Sequence, residues 1–347
     1  MTEEAIEVTS AFSYEDDQAI PCDKRDIQMF GKVFLPIWYC LVFTIGLVGN
    51  FLVVLTILKA RQPKSITDIF FLNLALSDLL FAISLPFWAS YIIHGWTLGT
   101  VTCQIVSSFY SVGFFAAMFF ITIISIDRYM AIVWATCIIK SRTVTYGYLT
   151  SILIWTLAVF FASPHFIFIR MSVAECTSRY PEHLKIIWPV FSYLEMNVIG
   201  FLLPMCILSY CYLQIVRTLL SCKNQCKKKA MKVISLVVII FFLFWTPYHI
   251  SLFLQVLQYF DFFKSCTSLR FLDYSVQVTE TVAFSHCCLN PIIYVFAGEK
   301  FRNYFSHLVL RCISFIYGSG VPTAIPDSAI ASNHTQNTSD REVSVLL

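Results

Sequence analysis

Seven long apolar stretches separated by short polar connections run along this chain, each close to or above the roughly 20 residues that a helix needs to cross a bilayer. They extend from Val33 to Leu58, Ile69 to Ile93, Thr102 to Ile126, Val144 to Ile169, Ile186 to Val216, Val233 to Phe260 and Tyr274 to Ala297. None alternates with a period of two. In hydrocarbon a backbone must satisfy its own hydrogen bonds, so such runs read as helices rather than barrel strands. Beyond the last span, Phe301, Tyr304, Phe305 and Leu308 fall at helical spacing with Lys300 and Arg302 opposite, the pattern of a helix lying on a membrane surface. From Gly318 onward Ser, Thr, Pro and small residues dominate, a composition that does not build a core. The predicted fold is therefore an all-α membrane protein, a seven-transmembrane helix bundle with a short amphipathic eighth helix. Its organisation is an acidic tail at 1–32, a membrane domain at 33–297, a surface helix at 298–314 and a disordered tail at 315–347. No internal repeat is visible, which argues against a repeat-built transporter.

Composition agrees with this reading and charge orients it. The chain is 58% hydrophobic and 13% charged, about half the usual charged content, so a soluble domain is excluded. With alternate connections assigned to opposite sides, 16 of the 24 Lys and Arg residues fall on one face, among them Lys59, Arg61, Lys64, Arg128, Lys140, Arg142 and the run Lys227 to Lys229. That face is cytosolic. The N-terminal tail through Lys32 lies outside and carries three basic and eight acidic residues, a net charge of −5. It lacks the basic start and apolar core of a cleavable signal, so the first span serves as the insertion signal. The overall charge of +3 reports sidedness and points to no nucleic-acid partner.

Of 13 cysteines only Cys22, Cys103, Cys176 and Cys266 face the oxidising side. An even number there suggests two disulfides. Topology favours Cys103 with Cys176, joining the third span to the second outer loop, which leaves Cys22 for Cys266. The others read as reduced and structural, with Cys312 a candidate for acylation as well as a free thiol. His286, Cys287 and Cys288 are consecutive, and residues about 100° apart on a helix cannot converge on one metal. The sequons at Asn333 and Asn337 fall in the cytosolic tail, where topology argues against glycosylation; Ser328, Ser332, Thr335, Thr338, Ser339 and Ser344 there are candidate phosphorylation sites.

Ionisable residues within spans are costly and are functional candidates by default. Asp78 sits mid-span, with Asn50 and Asn290 at similar depth; the three suggest a water or monovalent-cation site, or else a neutral Asp hydrogen-bonded to both amides. Glu195 and Glu280 lie towards the outer ends of the fifth and seventh spans, as partners for a cationic ligand group or as solvated residues at a cavity mouth. Asp127 and Arg128 end the third span on the cytosolic side, followed by Tyr129, and read either as an interfacial anchor or as a switch. Pro247 beside Trp245 and Tyr248, and Pro291 near Tyr294, each remove a backbone hydrogen bond and permit a kink. Kinked helices beside a charge pair are what a two-state transmembrane switch requires.

Together these motifs resemble those of the rhodopsin-like G-protein-coupled receptors: Asn50 after Gly49; Leu74, Ala75 and Asp78; Asp127, Arg128, Tyr129; Trp155; Phe244, Trp245, Thr246, Pro247; and Asn290, Pro291, Ile292, Ile293, Tyr294. Within that family the run Asp127 to Val133, with Met130 where Leu is usual, together with Ser84, Leu85, Pro86 and the placement of Cys22 and Cys266, resembles the chemokine receptors. Longer stretches at Pro63 to Ile69, Ser221 to Asn224, Tyr259 to Cys266 and Val278 to Pro291 resemble one branch of that group.

The resemblance implies a plasma-membrane receptor that is not an enzyme. Its ligand would be a chemokine, held first by the acidic tail and then by insertion of its own N-terminus between the helices. The tail's charge supports the first step independently, because it steers a basic partner. The resemblance further implies sulfation of Tyr14 beside Glu15, a pocket lined by Tyr39, Trp88, Tyr110, Tyr248 and Glu280, and a switch built on Asp127, Arg128, Tyr129, Tyr212, Trp245, Pro247, Asn290, Pro291 and Tyr294. Coupling to an inhibitory-class G protein through Arg128, Tyr212 and Tyr294 would lower cyclic AMP and promote calcium signalling, leukocyte adhesion and chemotaxis. Arrestin and receptor kinases would act at the C-terminal tail, and lipid would surround the bundle. A structural sodium ion near Asp78 is the one cofactor implied, and Ala117 puts it in question by standing where related receptors often carry serine. Trp134 follows the signature where a smaller or polar residue is common. Two other classes compete: an atypical receptor that captures chemokine without signalling, opposed by the intact Asp127, Arg128 and Tyr129, and an intramembrane enzyme or transporter, opposed by the lack of a Gly-any-Ser-Gly nucleophile with a partnered histidine or of a paired acidic metal site in the spans.

Overall fold

A computed structural model describes residues 25–59, 65–134, 143–172, 175–220, 225–260, 262–263 and 265–297, with backbone alone for 25, 28, 59, 172, 225–238 and 292–297. Tyr14, Cys22, Cys312, the two sequons, the surface helix 298–314 and the tail 315–347 lie outside these residues, as does the side chain of Tyr294.

The membrane domain consists of α1 (Arg25–Lys59), α2 (Ile66–His94), α3 (Gly99–Val133), α4 (Val144–Phe168), α5 (Ile187–Leu220), α6 (Gln225–Gln258), α7 (Cys266–Phe284) and α8 (His286–Ala297). Six of these, α1 to α6, carry segments long and apolar enough to span a membrane, and α7 with α8 makes the seventh crossing. Large apolar side chains at Met29, Val33, Ile37, Leu41, Ile45 and Val48 are exposed along one stripe of α1, the face a lipid solvent would cover. α3 runs through the middle of the bundle, in contact with α2, α4 and α5, and the ring closes through α6 on α7 and α1 on α8.

Helix ends are fixed by local chemistry. Ser65 and Asp68 form a capping box at the start of α2, each side chain accepting from the other's backbone N–H at 3.1 and 3.2 Å. Thr143 caps α4 and Ser265 caps α7 in the same sense. Between helices, Trp155 Nε1 donates to Asn73 Oδ1 at 2.9 Å, and Asn73 Nδ2 donates to Ser151 Oγ at 3.3 Å, tying α2 to α4. Gly113 allows a closer approach: a Cβ there would sit 2.9 Å from the backbone nitrogen of Phe81, so α2 and α3 meet at backbone distance.

Four features depart from the sequence expectation. α1 begins at Arg25, inside the segment assigned to the tail, and Asp26 at its start pairs with Arg270 of α7 at 2.8 Å. The second outer loop is not irregular but forms a hairpin of β1 (Ile169–Ser172) and β2 (Glu175–Ser178), with Met171 opposite Cys176; the disulfide Cys103–Cys176 fastens it to α3. α5 contains a π-helical turn at Val198–Leu202, in which the N–H of Leu203 bonds to Val198 O. Pro204 follows, has no N–H to offer the carbonyl of Gly200, and so accounts for the local rewinding. The seventh crossing, expected as one helix, is broken at Ser285, whose N–H turns back to Val282 O. Cys266 is disulfide-bonded, while its expected partner lies outside the described residues.

Candidate functional site

Three levels of the bundle hold the predicted residues. At the outer level Tyr39 of α1, Tyr110 of α3, Tyr248 of α6 and Glu280 of α7 come together. The hydroxyls of Tyr110 and Tyr248 are 3.5 Å apart, and Tyr39 lies near the Glu280 carboxylate. Trp88 packs elsewhere, on Tyr91 and Trp96 beside the disulfide-linked hairpin, with its Nε1 buried and without a hydrogen-bond partner. Phe284, which the sequence reading did not single out, joins the group: its ring lies 5.7 Å from Tyr39, 5.5 Å from Tyr110 and 5.0 Å from Phe81. Its position one helical turn after Glu280 was the available signal. The result is a single carboxylate set among phenol rings, suited to a cationic group presented on an otherwise apolar or hydrogen-bonding segment. Glu195 is buried on α5 and belongs to the same upper half of the bundle.

At mid-depth Asp78 is fully buried. Asn290 Nδ2 donates to its Oδ2 at 2.6 Å. Asn50 does not reach it: both protons of Nδ2 go to backbone carbonyls, Gly46 O and Cys287 O, each at 2.9 Å. The third group at Asp78 is His286, with Nε2 3.5 Å from Oδ1. In sequence His286 draws notice only through its run with Cys287 and Cys288, and nothing there points to Asp78. The imidazole also lies 4.7 Å from the ring of Trp245, which places the Asp78 cluster beside the stretch of α6 that carries Pro247. Above it, His249 stacks on Phe201 of the π turn at 4.2 Å and 6°.

At the cytosolic level Asp127 and Arg128 are buried, 2% and 8% exposed, which separates them from a solvated interfacial anchor. Thr67 of α2 donates to Asp127 Oδ2 at 3.1 Å. The Tyr212 hydroxyl is 3.4 Å from Ser125 Oγ and within electrostatic range of Arg128. Trp134 Nε1 donates to the Tyr129 hydroxyl at 2.9 Å, and the Tyr129 ring packs on Tyr210 of α5. Between the middle and lower levels lies a cavity of about 80 Å³ bounded by Ser125, Tyr212, Phe241, Trp245, His286 and Asn290, room for a few waters. A void there is what a helix rearrangement would fill or open.

Comparison with known proteins decides the family. The 7 transmembrane receptor (rhodopsin family) model matches residues 49–294. The chain is 50% identical to CX3C chemokine receptor 1 of Homo sapiens over 349 residues, covering 98% of each sequence, and 50% identical to that of Rattus norvegicus, covering 97% of each. Similarity to C-C chemokine receptor type 4 of Homo sapiens is 44%, over 93% of this chain and 91% of the relative.

The chain is a chemokine receptor of the rhodopsin family.

As such the receptor is a multi-pass plasma-membrane protein with its N-terminus outside, and it works by coupling ligand binding to a G protein rather than by catalysis.

Proposed function

We propose that this receptor binds the CX3C chemokine fractalkine and activates inhibitory-class heterotrimeric G proteins, promoting calcium signalling, chemotaxis and leukocyte adhesion. The observation that carries the ligand assignment is the 50% identity to CX3C chemokine receptor 1 over 98% of both sequences. The acidic tail, with Tyr14 sulfated, captures the basic chemokine; the chemokine N-terminus then enters between the helices and sets its ammonium against Glu280 among Tyr39, Tyr110 and Tyr248, with Trp88 at the rim. Displacement of these rings is passed through Trp245 and the kinks at Pro247 and Pro291 to Asn290, Tyr294 and Tyr212. That movement frees Arg128, with Asp127 and Tyr129, to engage the G protein. Receptor kinases and arrestin act at the C-terminal tail, and lipid packs against the apolar stripes.

The test is fractalkine-stimulated nucleotide exchange on an inhibitory-class G protein in membranes containing the receptor. Stimulation is expected. Binding without exchange would turn the reading to an atypical capturing receptor, and exchange with a CC chemokine but not fractalkine would turn it to the second ligand class, which the 44% identity to C-C chemokine receptor type 4 favours next.

A further inference from the structure

The cluster at Asp78 raises the question of what neutralises a fully buried carboxylate. A sodium ion is one answer, since hard cations bind oxygen ligands. The groups around Asp78 supply few of them. Asn290 turns its NH₂ towards Oδ2, an orientation required because a carboxylate can only accept, and its own oxygen therefore points away. Ser77 Oγ donates to Leu74 O at 2.8 Å within its own helix. Ala117, buried in α3, has no side-chain oxygen. Asn50 is anchored through its NH₂ to two carbonyls, which leaves its buried, unpartnered Oδ1 as a single neutral oxygen at this depth, short of the several oxygens a hard cation gathers.

What faces the remaining carboxylate oxygen is the His286 ring. Its Nδ1 lies 2.9 Å from Ala283 O; a carbonyl accepts, so Nδ1 carries a hydrogen. The other nitrogen, Nε2, is then directed at Asp78 Oδ1 across 3.5 Å. Neither atom has a hydrogen-bond partner within normal distance. Two bare lone pairs facing each other in a buried site would repel, so a proton belongs between them, on one atom or the other. His286 is held in this place by the break at Ser285, which starts α8 at His286 and turns its side chain inward, and by the Trp245 ring at 4.7 Å.

We infer that His286 stands in this receptor where a bound cation would stand, so that Asp78 is partnered from within the chain and the core takes up no sodium. The carboxylate then links α2 to α8 through two side chains of α8, Asn290 on one oxygen and His286 on the other. The inference does not depend on which chemokine binds.

It is tested on the purified full-length receptor in detergent without ligand, by thermal unfolding in sodium chloride against choline chloride at equal ionic strength, about 0.15 M. A bound ion would raise the midpoint by mass action. The native receptor is expected to show the same midpoint in both salts, whereas the double variant His286→Ser with Ala117→Ser, which restores oxygen ligands and opens the space, is expected to show a higher midpoint in sodium. A sodium-specific rise in the native receptor would overturn the inference. So would a folded double variant that responds no more to sodium than the native chain; if that variant does not fold, His286→Asn takes its place with the same expectation.

Discussion

Glu280→Gln isolates the charge at the outer level. Glutamine keeps the length of the side chain, so the ring cluster of Tyr39, Tyr110, Tyr248 and Phe284 should keep its geometry while the negative charge is lost. For a ligand ammonium about 4 Å from the carboxylate, Coulomb attraction at an effective dielectric near 20 is about 4 kcal/mol. Glu280 is only half-buried, and the ligand's ammonium must shed water to reach it, so roughly half of that attraction survives as net stabilisation. A loss of about 2 kcal/mol corresponds to about a 30-fold fall in potency. The assay is a fractalkine dose response in nucleotide exchange, run for both receptors with native ligand and with ligand acetylated at its N-terminus. If the carboxylate meets the ammonium, acetylation weakens the native receptor by a similar factor and costs the Gln variant little more, the signature of a double-mutant cycle with coupling. Additive losses, or no loss on Glu280→Gln at normal surface expression, would refute the placement.

Two further substitutions probe other levels. Gly113→Ala brings a Cβ to 2.9 Å from the Phe81 backbone nitrogen; overpacking of about 1–3 kcal/mol exceeds the gain of about 1 kcal/mol in helix propensity, because backbone cannot rotate aside, so the thermal midpoint of the solubilised receptor should fall, and an equal or higher midpoint would contradict the α2–α3 contact. Trp134→Phe removes the N–H donated to Tyr129 while keeping a ring; loss of a bond worth about 1 kcal/mol loosens Tyr129 from Tyr210, and ligand-free nucleotide exchange should rise about two- to fivefold, with no rise or a fall counting against the contact as a restraint.

Much of this architecture can be read from the sequence, since spans are dictated by length and hydropathy, and charge fixes their sidedness. The features that escape have definite causes. Hydropathy loses α1 at Arg25 to Lys32 because charged residues there interrupt the apolar run without interrupting the helix, and Asp26 with Arg270 rewards its extension. The break at Ser285 carries no proline or glycine signal; the helix parts where Ser285 N–H bonds three residues back. Strands of four residues in the outer loop are too short to register as a pattern and exist because Cys176 is tied to Cys103. At the outer level Glu280 stands out as an ionisable residue within a span, while Tyr39, Trp88, Tyr110 and Tyr248 come from the family resemblance; the structure brings all of these but Trp88 together. At mid-depth the same logic grouped Asn50 with Asp78 by depth alone, where rotation about the helix axes directs Asn50 to backbone carbonyls and His286 to the carboxylate. Depth along a helix can be counted in sequence, but facing cannot be assigned between helices whose kinks and breaks are unknown.

At the cytosolic foot of α3, Asp127 and Arg128 are buried and Tyr129 half-buried, with Thr67 on Asp127 and Tyr212 near Arg128. Nucleotide exchange on an inhibitory-class G protein, measured with saturating fractalkine for the native receptor and for Arg128→Ala at matched surface expression and matched fractalkine binding, tests their part in signalling most directly. Robust exchange is expected in the native receptor and its loss in Arg128→Ala with ligand binding kept; equal exchange in the two would contradict the role given to Arg128.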